Sequence, residues 1–338
     1  AIVAIAIRGF TLSLDFEGGT KVSLPAADLN EQAVSEVFQE STGVEPEQVQ
    51  IVGSGDSATL EVNSERLSEE QADAARLAIY EEFEPVNPSG EATPDAVGVS
   101  TVSESWGSTI TQRMVIAMIV FLVIATAYVA FRLQRTMALA AIIALIADGI
   151  IIAGIYALFG MEVSPAVIIG LLTVLTFSIY DSVIVFDKVN ENTEGITGQR
   201  SRTYAEQTNL AINQTVMRSI STSVISALPI IALFVVAVWM MGIGTLRDLA
   251  LIQLIGVIEG IFSSIFLASP LVVTLANRSK KIKAHNKEVA EYRANAQYSD
   301  EDADATGSKR QVVSPTTPAS NLEGTQISNT GSSWRPRR

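Results

Sequence analysis

Five apolar blocks, at about 114–131, 137–160, 163–187, 217–241 and 248–276, constrain this chain more than any other feature. Each is near or above the roughly 20 residues that a helix needs to cross a hydrocarbon core. The blocks predict a multi-pass helical membrane protein. Composition agrees: 48% of residues are hydrophobic, 17% are charged and the mean hydropathy is +0.32, too apolar a balance for a water-soluble chain of 338 residues. The chain has no cysteine, which excludes a disulfide framework and a thiolate metal site, and its single histidine, His285, excludes a histidine metal centre. A net charge of −13 argues against a nucleic-acid partner.

Outside the blocks the chain divides by charge. Residues 1–7 are uniformly apolar and end at Arg8, too short a run to span, and are expected to be the remnant of a first transmembrane helix whose beginning lies outside the chain. Residues 8–108 contain 20 acidic side chains against Arg8, Lys21, Arg66 and Arg76, a surplus larger than the whole chain's net charge. Strand-like and helix-like stretches alternate there as β-α-β-β-α-β: strands at 20–24, 49–52, 59–62 and 97–102, helices at 30–41 and 68–83. That order predicts a small α+β, ferredoxin-like domain. Ser68 followed by Gln71 marks a capping box at the start of its second helix. Residues 109–277 form the transmembrane bundle. Residues 278–338 begin basic and turn to Ser, Thr, Gly, Asn and Asp, which predicts a disordered tail.

Basic residues set the expected orientation. Arg132 and Arg135, then Lys188, Arg200, Arg202 and Arg218, then Arg278, Lys280, Lys281 and Lys283 all fall on one side if the chain weaves regularly, whereas the opposite short loops hold Arg247. The basic side is expected to be cytoplasmic, which places 8–108 outside and the tail inside.

A charge at mid-bilayer costs several kcal/mol, about 3 on insertion scales, so each asks for a reason. Asp148 lies at the centre of its block. Asp181 lies six residues before Asp187, about 9 Å deeper at 1.5 Å per residue, Arg218 stands where the next block begins, and Glu259 lies inside the last block. Asp181 and Arg218 are expected to form an ion pair whose carboxylate takes up and releases a proton, or else a permanent salt bridge that fixes packing. Asp148 has the same two readings: part of an ion pathway, or a hydrogen-bonding group between helices. The polar run Asn213, Gln214, Thr215, Arg218, Ser221 and Thr222 is expected to face the bundle interior or a watery crevice.

Three separated segments resemble the SecF family. They are Asp15-Phe16-Glu17-Gly18-Gly19-Thr20, then Ser178-Ile179-Tyr180-Asp181 running to Phe186-Asp187-Lys188, and Asn213-Gln214-Thr215-Val216-Met217-Arg218. The chain departs from the family pattern at Tyr180, where an amide is usual, at Ala147 beside Asp148, where the family has a His-Asp pair, and at Glu259, normally apolar. The resemblance implies a six-helix RND-superfamily bundle with an extracytoplasmic domain after the first helix, in a bacterial inner membrane. It implies pairing with SecD, assistance to unfolded preproteins crossing SecYEG on the Sec pathway, and energy from the proton motive force or a sodium gradient. SecA and YidC- or YajC-type proteins are implied as further contacts. Asp181, Arg218, Asp148 and Asp187 are then ion-pathway candidates, and Asp15, Gly18, Gly19, Asn213 and Thr215 are family-motif positions. Neither an enzymatic activity nor a cofactor is expected. The alternative is a passive RND-like assembly subunit that conducts no ion.

Overall fold

A computed structural model describes residues 1–26, 29–87 and 90–305. Compact unit 1 covers Ala1–Val289 and contains both the acidic domain and the bundle.

The acidic segment folds around one four-stranded antiparallel sheet in the order β3-β4-β2-β5, formed by β2 (Gly19–Pro25), β3 (Gln48–Val52), β4 (Thr59–Ser64) and β5 (Gly98–Val102). Helix α3 (Glu31–Thr42) connects β2 to β3 and α4 (Glu69–Phe83) connects β4 to β5, so two β-α-β crossovers interlock. Period-two alternation makes the sheet two-sided. Val22, Leu24, Leu60 and Val62 point under the helices and join Val34, Phe38, Ala75 and Ile79 in a closed core. Lys21, Ser23, Glu61 and Asn63 point to the other face, with Lys21 opposite Asn63 and Ser23 opposite Glu61 in the register. The Ser68–Gln71 capping box starts α4, both of its hydrogen bonds being present.

Among the described residues, the bundle has five helical segments long and apolar enough to cross a membrane: Glu104–Arg132, Arg135–Phe159, Pro165–Gly198, Tyr204–Met241 and Gly244–Ala276. In the first three, the helices proper are α5 (Glu104–Arg132), α6 (Arg135–Phe159) and α7 (Pro165–Thr193). The fourth is α8 (Tyr204–Val235) continued by a π-helical segment, Val236–Met241. The fifth is α9 (Gly244–Phe262), a π-helical segment Ser263–Ala268, and α10 (Ser269–Ala276). In the apolar windows of α6 and α7, 44% of residues are buried, against 11% in α5 and α8. Thus α6, α7 and α9 are the centre of the bundle, and α5 and α8 are its flanks. The close approach of α7 to α9 requires glycine: a Cβ on Gly256 would lie 2.0 Å from Val174 Cγ1.

Several helices outrun the apolar blocks, because polar signals rather than hydropathy set their ends. Ser103 caps α5 about ten residues before the block at 114, and the Thr203–Glu206 capping box starts α8 well before 217. Arg218 is therefore an interior residue of α8 and not its start. Likewise α7 passes through Asp187 to Thr193, where Lys188 pairs with Glu191 one turn on.

Residues 1–7, with Arg8, form α1 (Ile2–Arg8), which runs beside α6, with Ala1 near Gly154 and Arg8 donating to the Leu158 carbonyl at 2.9 Å. The domain caps the end of the bundle where α6 meets α7. There β1 (Thr11–Leu12) pairs in parallel with β6 (Glu162–Val163), and Ser57 Oγ donates to the Trp239 carbonyl at 2.9 Å. The basic clusters at 132–135 and 188–202 lie at the opposite helix ends.

The expectation of disorder from 278 onward is corrected for 280–305, which form helix α11 (Lys280–Ala305). Composition alone hid the reason, which is tertiary. His285 Nε2 donates to the Arg202 carbonyl at 3.0 Å, Asn286 Oδ1 accepts from the Tyr204 amide at 3.2 Å, and Val289 is fully buried, so the start of this helix clamps the start of α8. The remainder of the predicted tail, 306–338, lies outside the described residues.

Candidate functional site

The Gly18–Gly19 motif makes the turn from helix α2 (Leu14–Glu17) into β2. Gly18 (φ +83°) and Gly19 (φ +138°) both occupy backbone regions that side chains rarely adopt. A Cβ on Gly19 would also stand 2.5 Å from the Ser64 carbonyl oxygen. The motif thereby fixes where the chain leaves the bundle and enters the sheet. Thr20 braces it, accepting from the Leu67 amide at 3.0 Å and contacting Thr101 Oγ1 at 3.2 Å. Asp15, on the half-buried side of α2, lines a cavity of about 180 Å³ between the polar sheet face and the bundle.

That junction is built from charges. Lys21 pairs with Glu61 at 3.2 Å, Gln50 donates to Glu61 at 3.4 Å and to Glu162 at 3.5 Å, and Arg247 pairs with Asp248 at 3.0 Å. Burial pushes the Glu162 carboxyl above its ordinary range, and the Lys21 ammonium opposes that push. The sheet face that the domain core does not use thus becomes its docking surface.

Within the bundle, Asp148 on α6 is completely buried. Its Oδ2 accepts from Ser178 Oγ on α7 and its Oδ1 accepts from Ser263 Oγ in the π-helical segment after α9. Glu259 lies one turn before Ser263, and its Oε2 is buried with no hydrogen-bond partner among the described residues. Asp148 therefore joins three helical segments, and its hydrogen-bonding role between helices is seen directly. The π-helical segment, which turns with an extra residue per turn, lies where Ser263 meets Asp148.

Asp181 is one turn beyond Ser178 on α7, on the side where α7 meets α8 and α9. It lines a cavity of about 30 Å³, room for one or two water molecules, together with Ser178, Thr222, Ser223, Ser226 and Gly260. Its Oδ2 is buried and has no hydrogen-bond partner among the described residues.

The structure does not join Asp181 to Arg218. Arg218 is exposed on α8 and makes no ion pair among the described residues, and Asp187 pairs instead with Arg132 of α5 at 2.6 Å. Thr222, one turn after Arg218 on the same side of α8, lines the Asp181 cavity, so Arg218 stands about one turn away from that cavity along the helix and is exposed. The polar run divides the same way. Thr215 is buried and donates to the Ala211 carbonyl at 2.9 Å, while Asn213, Gln214, Arg218 and Ser221 are exposed, so of the two expected settings the interior of this chain's own bundle holds for only part of the run. Gln214 accepts from Asn192 of α7 at 3.1 Å. The residue that sequence reasoning left without a role is Glu259. An acid 15 residues into α9, within an otherwise apolar block, was the available signal.

Comparisons with known proteins agree with this arrangement. Protein export membrane protein SecD/SecF, C-terminal, matches residues 85–278, and the SecD/SecF GG motif matches residues 3–27. The protein translocase subunit SecF of Mycobacterium tuberculosis is 49% identical over 314 residues, covering 93% of this chain and 71% of that one. The SecF of Mycobacterium leprae is 45% identical over 340 residues, covering 97% and 72%. Among solved structures, SecDF of Thermus thermophilus, described as a translocon-associated membrane protein, superposes with a TM-score of 0.68 at 32% identity. It covers 82% of this chain, which spans 36% of that one. A glycine motif leading into the sheet, a multi-pass bundle and matches over most of its length place this chain in the SecD/SecF family, as a protein translocase subunit of the SecF type.

Proposed function

We propose that this chain is the SecF-type half of an export motor that pairs with SecD in the bacterial inner membrane and uses a proton or sodium gradient to draw unfolded preproteins outward through SecYEG. In this proposal α1 is the end of a sixth spanning helix, the domain is a ferredoxin-like extracytoplasmic unit that meets the emerging preprotein, and the basic helix ends face the cytoplasm. The interlocked crossovers of the sheet, the acidic charge of 8–108 and the basic clusters at the opposite end support that assignment.

The observation that carries the motor reading is the surroundings of Asp181. Its Oδ2 is buried without a hydrogen-bond partner among the described residues and stands beside a water-sized cavity, an arrangement that asks for a partner from outside the described chain. Beside it, α8 presents Asn213, Gln214, Arg218 and Ser221 on its exposed side. Such a face is costly against lipid, so a second subunit or a water-filled crevice covers it. Arg218 then approaches Asp181 in a different state of the cycle, and Asp187 with Arg132 anchors the cytoplasmic end. The missing Asp181–Arg218 contact also suits the alternative, a passive assembly subunit.

Gradient-driven export by the reconstituted complex decides between them. Asp181→Asn is expected to leave SecD pairing intact and abolish the stimulation by the gradient. Wild-type stimulation in that variant leaves only the passive subunit.

A further inference from the structure

The outer edge of β5 is a surface to which the export reading above gives no task. In the order β3-β4-β2-β5 the sheet has two edges. The β3 edge strand runs against the bundle: Gln50 donates to Glu162 at 3.5 Å, and a Cβ on Gly53 would lie 3.0 Å from Gly242 Cα, in the turn between the Val236–Met241 segment and α9. At the other edge, β5 pairs with β2 from Gly19↔Val102 to Ser23↔Gly98, and no strand among the described residues pairs with its far side. The N–H and C=O groups of alternate residues there point outward without a ladder partner.

Exposed edge strands are usually blunted by a lysine, a proline or a bulge. The β5 strand, Gly98-Val99-Ser100-Thr101-Val102, has none of these, since it is uncharged in a strongly acidic domain and its register with β2 is unbroken. Beside it lies a groove of about 780 Å³ between β5 and α4. Alternation divides the strand's side chains. Val99 and Thr101 line the groove with Leu67 and Ala72, whereas Ser100 and Val102 line the junction cavity across the sheet. Arg66 and Arg76 line it as well. These are two of the four basic residues of 8–108, and the other two are engaged elsewhere, Lys21 with Glu61 and Arg8 with the Leu158 carbonyl. Arg66 makes no ion pair among the described residues, and Arg76 pairs with Asp73 at 2.6 Å while its Nε is buried without a hydrogen-bond partner.

We propose that this groove takes an extended segment of unfolded polypeptide, which adds to β5 as a fifth strand beside α4 and rests alternate side chains on Leu67, Ala72 and Val99. An extended chain fits because it offers main-chain donors and acceptors at about 3.3 Å per residue, matching the whole edge without requiring a particular sequence. The free donors of the two arginines suit its carbonyl oxygens. With Arg66, Glu69, Asp73 and Arg76 around it, the groove is more polar than a permanent subunit interface, which favours a transient occupant. It also ends at Ser103, the cap of α5, so a docked segment lies at the end of the bundle that the domain covers. Identifying that segment as part of an exported preprotein rests on the export reading; the strand addition does not.

Because the chain has no cysteine, Thr101→Cys gives the full chain in lipid nanodiscs a single reporter. The probe is a peptide of about ten residues, alternating valine and threonine between terminal lysines, with one cysteine placed at each position in turn. Facing Cβ atoms of paired strands are about 4.5–5.5 Å apart, so disulfides are expected at alternate peptide positions and not at those between. Binding of the cysteine-free peptide to the unaltered chain is expected to weaken about tenfold when its amides are N-methylated along one edge, and to be unchanged by N-methylation along the other. Ala72→Arg, which fills the groove from α4, is expected to weaken it similarly and serves if Thr101→Cys does not fold. Cross-linking without alternation, equal binding of the two N-methylated peptides, unchanged binding in Ala72→Arg, or a disulfide from Thr101→Cys to a second copy or to SecD that shuts out the peptide overturns the proposal. The peptide needs neither a gradient nor SecD, so a failed export test of Asp181→Asn leaves this result untouched, and a groove that takes no peptide leaves the motor reading standing.

Discussion

Asp148 and Asp181 lie on neighbouring helices within the same bundle, and their surroundings are opposite. Asp148, on α6, has two serine donors, one from α7 and one from the π-helical segment after α9, both from this chain. On the α7–α8 side, Asp181 has an unpartnered oxygen, a small cavity and an arginine turned outward. The first site is complete within the chain and the second is not. A buried charge that is fully hydrogen-bonded holds helices together, whereas one left unsatisfied is a free-energy reservoir that a proton, water or partner can relieve.

The comparison breaks most sharply at Asp148. Asp148→Ala strands the Ser178 and Ser263 hydroxyls in the core of the bundle, and is expected to lower stability by about 2–4 kcal/mol. Thermal unfolding in detergent measures it, and a variant as stable as wild type would show that the network contributes nothing to packing. Gly256→Val comes next. Its side chain must push α9 away from Val174, at an expected cost of about 1–3 kcal/mol, and it should change the Asp181 cavity, which Gly256 lines. Thermal unfolding measures the cost, and a variant as stable as wild type would show that the close approach of α7 to α9 is not needed.

Asp181→Asn and Arg218→Gln are expected to change the stability of the isolated chain by no more than about 0.5 kcal/mol, since neither breaks a contact made here. The same unfolding measurement on the SecD-bound complex should separate Arg218→Gln from wild type, and equal stability in both settings would argue that α8 is not a covered face.

The smallest effect concerns the junction. Glu162 holds its proton more tightly in the folded chain than its ordinary value of 4.5 allows. Its contribution to docking is therefore present at low pH and is lost as pH rises from that value through the raised one. Unfolding measured against pH should show this slope in the wild type and lose it in Glu162→Gln.

The elements of the domain were largely legible because its signals are local. Alternation placed β2 and β4 within a residue or two, and Ser68 with Gln71 marked the start of α4. The five spanning helices were legible for the same reason, and their ends were not, since hydropathy stops where the polar helix continues. Thr203 with Glu206 was a readable start signal for α8, of the same kind as the one recognised at Ser68. The pairing of Asp181 with Arg218 was inferred from similar depth in the membrane. The depths are in fact offset: Thr222, one turn beyond Arg218 on the same side of α8, is the residue level with the Asp181 cavity, and hydropathy does not resolve a difference of one turn. The helix at 280–305 was illegible because its start is held by Arg202 and Tyr204, about 80 residues away.

By itself, the sequence determined that this chain crosses a membrane several times, which residues form its acidic domain, and which family it belongs to, because length, period and motif are properties of neighbouring residues. Only the tertiary structure decided which charges meet. It placed Ser178 and Ser263 against Asp148, gave Asp187 to Arg132, left Asp181 facing a cavity, and turned the polar face of the sheet onto the bundle. Those outcomes depend on the relative rotation of helices far apart in sequence, which close packing at positions such as Gly256 sets to within an ångström.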